Sequence, residues 1–137
     1  MQRLKKQFKR TGAMLLMSFW GTGVLVAMDV PTYYDVDIKS MKISIEGSKE
    51  VLACLKSGCP LQEQYALDDT IQQNLRDLFA SVGSTPSKHA GFYMKHQKEV
   101  QEYYENNTTL QETYAQLKTQ LEAVNSEIKT LREEQKQ

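Results

Sequence analysis

Two cysteines, two histidines and two carboxylate pairs are the residues whose types and spacing could carry chemistry. Cys54 and Cys59 lie within Cys54-Leu55-Lys56-Ser57-Gly58-Cys59-Pro60. A redox pair wants two intervening residues and this pair has four. Two thiolates alone leave a metal site incomplete. An even pair this close in an oxidising space reads as a disulfide. Five residues along a straight helix would hold the sulfurs apart. Ser57-Gly58 and Pro60 break the helix, so the chain can turn back within bridging reach. The expectation is a structural disulfide between Cys54 and Cys59.

His89 and His96 lie seven apart with Met94 nearby, which suggests a copper site on paper. On a straight helix two turns separate the imidazoles by about 10 Å, too far for one ion. They are expected as surface or seam histidines, and no metal is assigned. Asp35 with Asp37, and Asp68 with Asp69, are carboxylate pairs. General acid–base work needs a pocket and a shifted pKa. Neither pair has a nucleophile motif beside it, and Asp68 or Asp69 serves as a helix N-cap. The serines include no G-x-S-x-G elbow. No catalytic residue and no cofactor is assigned, and the chain is not expected to be an enzyme.

The element that organises the chain is the run from Leu110 to Leu131. Its apolar residues are Leu110, Tyr114, Leu117, Leu121, Val124, Ile128 and Leu131, with gaps of 4, 3, 4, 3, 4 and 3. That is a heptad seam with Tyr114, Leu121 and Ile128 at a and the other four at d. A seam this narrow wants a partner helix, from the same chain or another. Within the chain, the alternative is packing on Ile71, Leu75, Leu78 and Val82. Position e carries Lys118 and Arg132, and position g carries Glu127 and Glu134. Self-association through this seam would therefore be parallel, giving a weak parallel homodimer with Glu127 facing Arg132. Asn107, at an upstream a position, would fix the register.

Upstream, the register extends through Tyr93, His96, Val100, Tyr103 and Asn107, predicting a rod over about 90–131 of roughly 60 Å. Asn106-Asn107-Thr108-Thr109 is its weak point, where a helix kinks or restarts. It also holds two overlapping glycosylation sequons, which matter only in a eukaryotic host. A first helix is predicted over about 35–56, with Gly47 inside it as a place to break. Residues 57–67 read as a loop. A second helix follows over about 69–82, with Gly83 at its C-terminal end. Ser84 to Ser87 form a linker. Seven tyrosines stand at 33, 34, 65, 93, 103, 104 and 114. They suit either a contact surface or the edges of a thin helical core.

Residues 1–10 carry Arg3, Lys5, Lys6, Lys9 and Arg10 with no acid. Fifteen uncharged, mostly apolar residues, 13–27, follow and end at Ala27. This order is that of a secretory signal, with cleavage after Ala27. The run is short for a spanning helix, and the rival reading is an uncleaved anchor. That segment is the only membrane contact expected. Beyond it the chain holds 17 acids against 12 bases, a net of −5. An acidic body argues against nucleic acid as a partner. Val51-Leu52-Ala53-Cys54 is no lipoprotein box, since charged residues separate it from the apolar run.

The expected fold is all-α: a small helical head with the disulfide (28–86) and a long, coiled-coil-like C-terminal helix (87–137), after a signal or anchor (1–27). In broad layout the chain resembles the pilus-associated subunits of conjugation machines: signal peptide, helical body, long helix. It carries no motif particular to that family. The resemblance implies a place in an envelope complex. The expected function is that of an exported, periplasmic or secreted assembly or adaptor protein, holding a protein partner through its C-terminal helix. The alternative is a periplasmic helical holdase chaperone, against which the acidic body counts.

Overall fold

The computed structural model describes residues 28–136, all of whose regular structure is helical. The cleavage position expected at Ala27 lies outside the described residues. Among the described residues, no helix is long and apolar enough to cross a membrane.

Helix α1 spans Val30–Lys56. Asp29 caps it by accepting from the Thr32 N–H at 2.9 Å, and Pro31 sits in the first turn, where a missing N–H costs nothing. The helix continues through Gly47 without a break. A Cβ at Gly47 would fall on the Ile71 side chain, so the glycine lets α2 approach closely. At its far end Gly58 takes φ 73°. The Gly58 N–H donates to the Leu55 carbonyl at 3.1 Å, and the Cys59 N–H donates to that of Cys54 at 3.0 Å. This is a Schellman turn, which brings the residue two past the cap against the third residue from the helix end.

Helix α2, Leu61–Ser81, begins directly after Pro60. The loop expected over 57–67 is therefore much shorter. Asp68 and Asp69, read as N-caps, lie in the middle of α2. The reason is that Pro60 is itself a helix start, holding extended backbone at the N-cap while the Schellman turn reverses the chain. Gly83, at φ 68°, ends α2 with a second turn of the same kind: the Ser84 N–H donates to the Phe79 carbonyl at 2.9 Å.

The rod expected over about 90–131 is three helices: α3 Pro86–Lys95, α4 Gln97–Glu105 and α5 Thr108–Gln135. Thr85 caps α3 by accepting from the Lys88 N–H at 3.1 Å. The chain breaks at His96, whose ring packs on Phe92 with centroids 4.4 Å apart. It restarts at Asn107, which caps α5 by accepting from the Leu110 N–H at 3.0 Å. Asn107 is thus a cap and not a register-setting seam residue. Gln111 closes the other side of this junction, donating to the Tyr104 carbonyl at 2.7 Å and to that of Glu105 at 3.2 Å.

The arrangement centres on α1. Helix α2 returns antiparallel along it, with Ile71 over Gly47 and Leu67 against the cluster at Val51, Leu52 and Leu55. Helices α3 and α4 lie by the N-terminal end of α1. Helix α5 then runs parallel to α1. Tyr114 donates to Asp37, and Ser48 donates to Asn125 at 3.3 Å; both pairs are 77 residues apart in sequence, which fixes one parallel register. The long C-terminal helix expected from the sequence is present as α5, and it lies against α1 along much of its length.

Candidate functional site

The seam residues meet their partner inside the chain. Leu110 joins Tyr34 and Val100 in one buried cluster, with Tyr114 packed against it. Leu117 is buried. Ile128 joins Val51, Leu52 and Leu55 of α1 in a second cluster, flanked by Val124 and Leu131. Leu121 is half-buried. The partner is therefore α1, and not the Ile71, Leu75, Leu78 and Val82 face, of which only Ile71 touches this cluster. The flanking charges follow the same logic. Glu127, at g, pairs with Lys56 of α1 at 3.2 Å, and Arg132, at e, reaches Asp68 of α2 at 3.8 Å. The apolar side of a parallel homodimer through this seam is thus already covered by the chain's own first helix.

Cys54 and Cys59 stand at disulfide distance, with Cα atoms 5.2 Å apart. The Schellman turn explains how residues five apart meet, since it places these two positions side by side. Gln64, buried, donates towards the Cys59 carbonyl at 3.5 Å. Glu63 brings a carboxylate near the two sulfurs. With the sulfurs joined, no thiolate remains there to ligate a metal.

The polar residues that come together are ones the sequence reading set apart. Asp35 and Asp37 do not act as a pair. Asp35 is exposed and bridges to Lys39 at 2.9 Å. Asp37 is turned inward, between His89 of α3 and Tyr114 of α5. The His89 Nε2 lies 3.4 Å from Asp37 Oδ1, and the Tyr114 hydroxyl donates to Oδ2. His89, expected at the surface or in the seam, is only 7% exposed and packs outside the seam, beside Tyr33 and Phe79. Its ring stacks on Tyr33 at 4.3 Å and meets Phe79 edge-on at 5.2 Å. Its Nδ1 is buried without a hydrogen-bond partner among the described residues. His96 is half-buried, away from His89 in role, and approaches Glu99 at 3.6 Å.

The electrostatics follow from the packing. Burial alone would push the Asp37 carboxyl up. The hydrogen bonds from His89 and Tyr114, with the His89 charge, outweigh it and hold Asp37 below the ordinary carboxylate value. Burial, then the hydrogen bond to Asp37 and its charge, raises the Tyr114 phenol. Burial and the nearby Asp37 charge raise Tyr33 to about 12. Tyr34 is raised for the same two reasons, and its hydroxyl donates to the Val100 carbonyl at 2.7 Å. Chemically this is a polar lock. One carboxylate ties α3 and α5 to α1, inside a shell of aromatic rings.

Six of the seven tyrosines belong to this end of the molecule: Tyr33, Tyr34, Tyr93, Tyr103, Tyr104 and Tyr114. Tyr65 stands apart and exposed on α2. One signal for the lock was present in the sequence. Asp37 sits inside the apolar stripe of Tyr34, Ile38 and Met41, where a carboxylate needs a partner. The spacing of His89 and His96 carries no signal for the burial of His89, which depends on Tyr33 and Phe79 from other helices. No family model, curated protein or solved structure matches this chain.

Proposed function

We propose that the chain is an exported, non-catalytic adaptor that works in the periplasm and holds a protein partner within an envelope assembly. Cys54 and Cys59 at disulfide distance support the compartment, together with the basic and apolar order of residues 1–27. One observation carries the mode of contact. The apolar seam of α5 is consumed by α1, so a partner must be met by outer surfaces. Those surfaces hold two distinct features. One is the exposed pair Leu61 and Tyr65, one turn apart at the disulfide end. The other is the tyrosine and glutamate face of α4 at the opposite end.

The test is capture of the full chain, tagged at Gln137, from a crosslinked envelope fraction of its own host. The expected result is one defined set of envelope proteins at fixed stoichiometry. Recovery of the chain alone, or in the cytoplasm, overturns the adaptor reading. Broad suppression of aggregation of unrelated unfolded proteins would replace it with a holdase.

A further inference from the structure

The structure holds a tyrosine-lined hollow beside α4 that the polar lock does not use. It has a volume of about 360 Å³, and Tyr34, Tyr93, Val100, Gln101, Tyr104 and Glu105 line it. That is at the lower end of small-ligand pockets, about 300–1,000 Å³. Val100 is 2% exposed and Tyr34 is buried; the other walls are half-buried or exposed. The rings are held from behind. Tyr34 and Tyr104 stack with centroids 6.3 Å apart, and Tyr114 meets both edge-on, at 5.8 Å and 5.9 Å. The Gln111 amide fixes the carbonyls of Tyr104 and Glu105, so the backbone carrying two of the walls is anchored as well.

The lining decides what the hollow can accept. Phenol rings present electron-rich faces, which attract a cation and repel an anion. Glu105 adds a full negative charge and makes no ion pair among the described residues. The adjoining surface continues the same character, since a second hollow on α4 is lined by Glu99, Glu102 and Tyr103 with the Asn106-Asn107 junction. The body beyond Ala27 is itself acidic, which steers a basic partner towards it.

We propose that this hollow is a cation-accepting cage that takes an arginine or lysine side chain from a basic segment of a partner protein. The inference rests on the adaptor reading and names the chemistry of its partner. Stacking on Tyr93 or Tyr104, the half-buried rings, supplies the cation–π contact, while Tyr34, covered by Tyr103 and Tyr104, forms the floor, and Glu105 supplies the counter-charge. The neighbouring Glu99 and Glu102 select for further basic residues along the same segment.

The experiment is a titration of the full chain, in mild non-ionic detergent, with N-acetyl-tetra-arginine amide. The ring resonances of isotope-labelled tyrosine are followed by NMR, and tetra-glutamate is the control. Resonances of Tyr34, Tyr93 and Tyr104 should move with the arginine peptide and respond less as salt rises. Glu105→Gln, a near-isosteric change at an exposed side chain, should weaken binding about tenfold. Tyr104→Phe should bind like the parent, and Tyr104→Leu should lose about tenfold. Unmoved tyrosine resonances at millimolar peptide, equal shifts with tetra-glutamate, or unchanged affinity in Glu105→Gln would overturn the cage. The adaptor reading fails separately. An envelope partner captured equally by the parent and by Glu105→Gln overturns the cage and leaves the adaptor standing. Capture of no partner by the parent overturns the adaptor.

Discussion

At the C-terminal end of α1, Val51, Leu52 and Leu55 pack on Ile128, with Leu67, Ile71, Val124 and Leu131 around them. At the N-terminal end, Tyr34, Val100 and Leu110 pack amid Tyr33, Phe92, Tyr93, Tyr103, Tyr104 and Tyr114. The first end is aliphatic and carries the cysteine pair, which spans the local turn that ends α1. The second is aromatic and encloses a carboxylate, a histidine and a phenol from three different helices. Aliphatic packing is non-directional and depends on volume. Aromatic and hydrogen-bonded packing depends on angle and protonation. The same helix therefore has one end that responds to lost volume and lost crosslinks, and another that responds to pH.

The sharpest way to break this contrast is at the aliphatic end. Leu55→Ala removes a side chain that is 4% exposed within a four-residue cluster drawn from two helices. Stability should fall by about 2–5 kcal/mol in urea unfolding. A loss below about 1 kcal/mol would mean that this end does not rely on volume.

Next is the staple. Joining residues five apart closes a short loop, so Cys54→Ser with Cys59→Ser, or reduction, should cost about 2 kcal/mol. Thiol labelling of the exported chain under denaturing, non-reducing conditions should find no free thiol. Two free thiols per chain would remove the covalent half of the comparison.

At the aromatic end, Asp37→Asn keeps the shape and removes the charge, leaving His89 and Tyr114 with a poorer acceptor. A loss of about 1–3 kcal/mol is expected at neutral pH. The pH dependence has a definite sign. Asp37 is held below its unfolded value of 3.8, so its contribution is present above that value and lost as pH falls through the folded one. Tyr33 is raised from 10.0 to about 12, so its contribution is intact below pH 10 and lost as pH rises through about 12. Acid unfolding should therefore flatten in Asp37→Asn, and near-ultraviolet signals from tyrosine should fail before the helix signal at high pH. Identical acid profiles for parent and variant would sink the lock.

The smallest effect is expected at Lys56 and Glu127. Both side chains are more than half exposed, at 57% and 55%. A double-mutant cycle should give about 0.2–1 kcal/mol, shrinking with salt. A larger coupling would mean that charge, and not the aliphatic cluster, holds α5 to this end of α1.

Much of the local structure was legible beforehand, because local structure follows from neighbours in sequence. Gly83 marked the end of α2, and Asn106-Asn107 marked a restart. The same holds for the cysteine pair, since Ser57-Gly58 announced a turn that brings nearby residues together. The start of α2 was misplaced because two aspartates made a better cap signal than a proline that merely permits a helix. Helix α1 ran through Gly47 because Ile71, 24 positions on, occupies the space a side chain would have taken.

By itself the sequence determined that the chain is helical, where most helices stop, and that the α5 seam needs a partner helix. These depend on caps, glycine conformations and the heptad repeat, all read within a few turns. The tertiary structure alone decided that the partner is α1, that His89 is buried on Asp37, and that six tyrosines share one end. Those outcomes depend on which distant faces meet. A heptad seam specifies the shape of its complement but neither its address nor its direction, and a carboxylate inside an apolar stripe demands a donor without saying which helix will bring it.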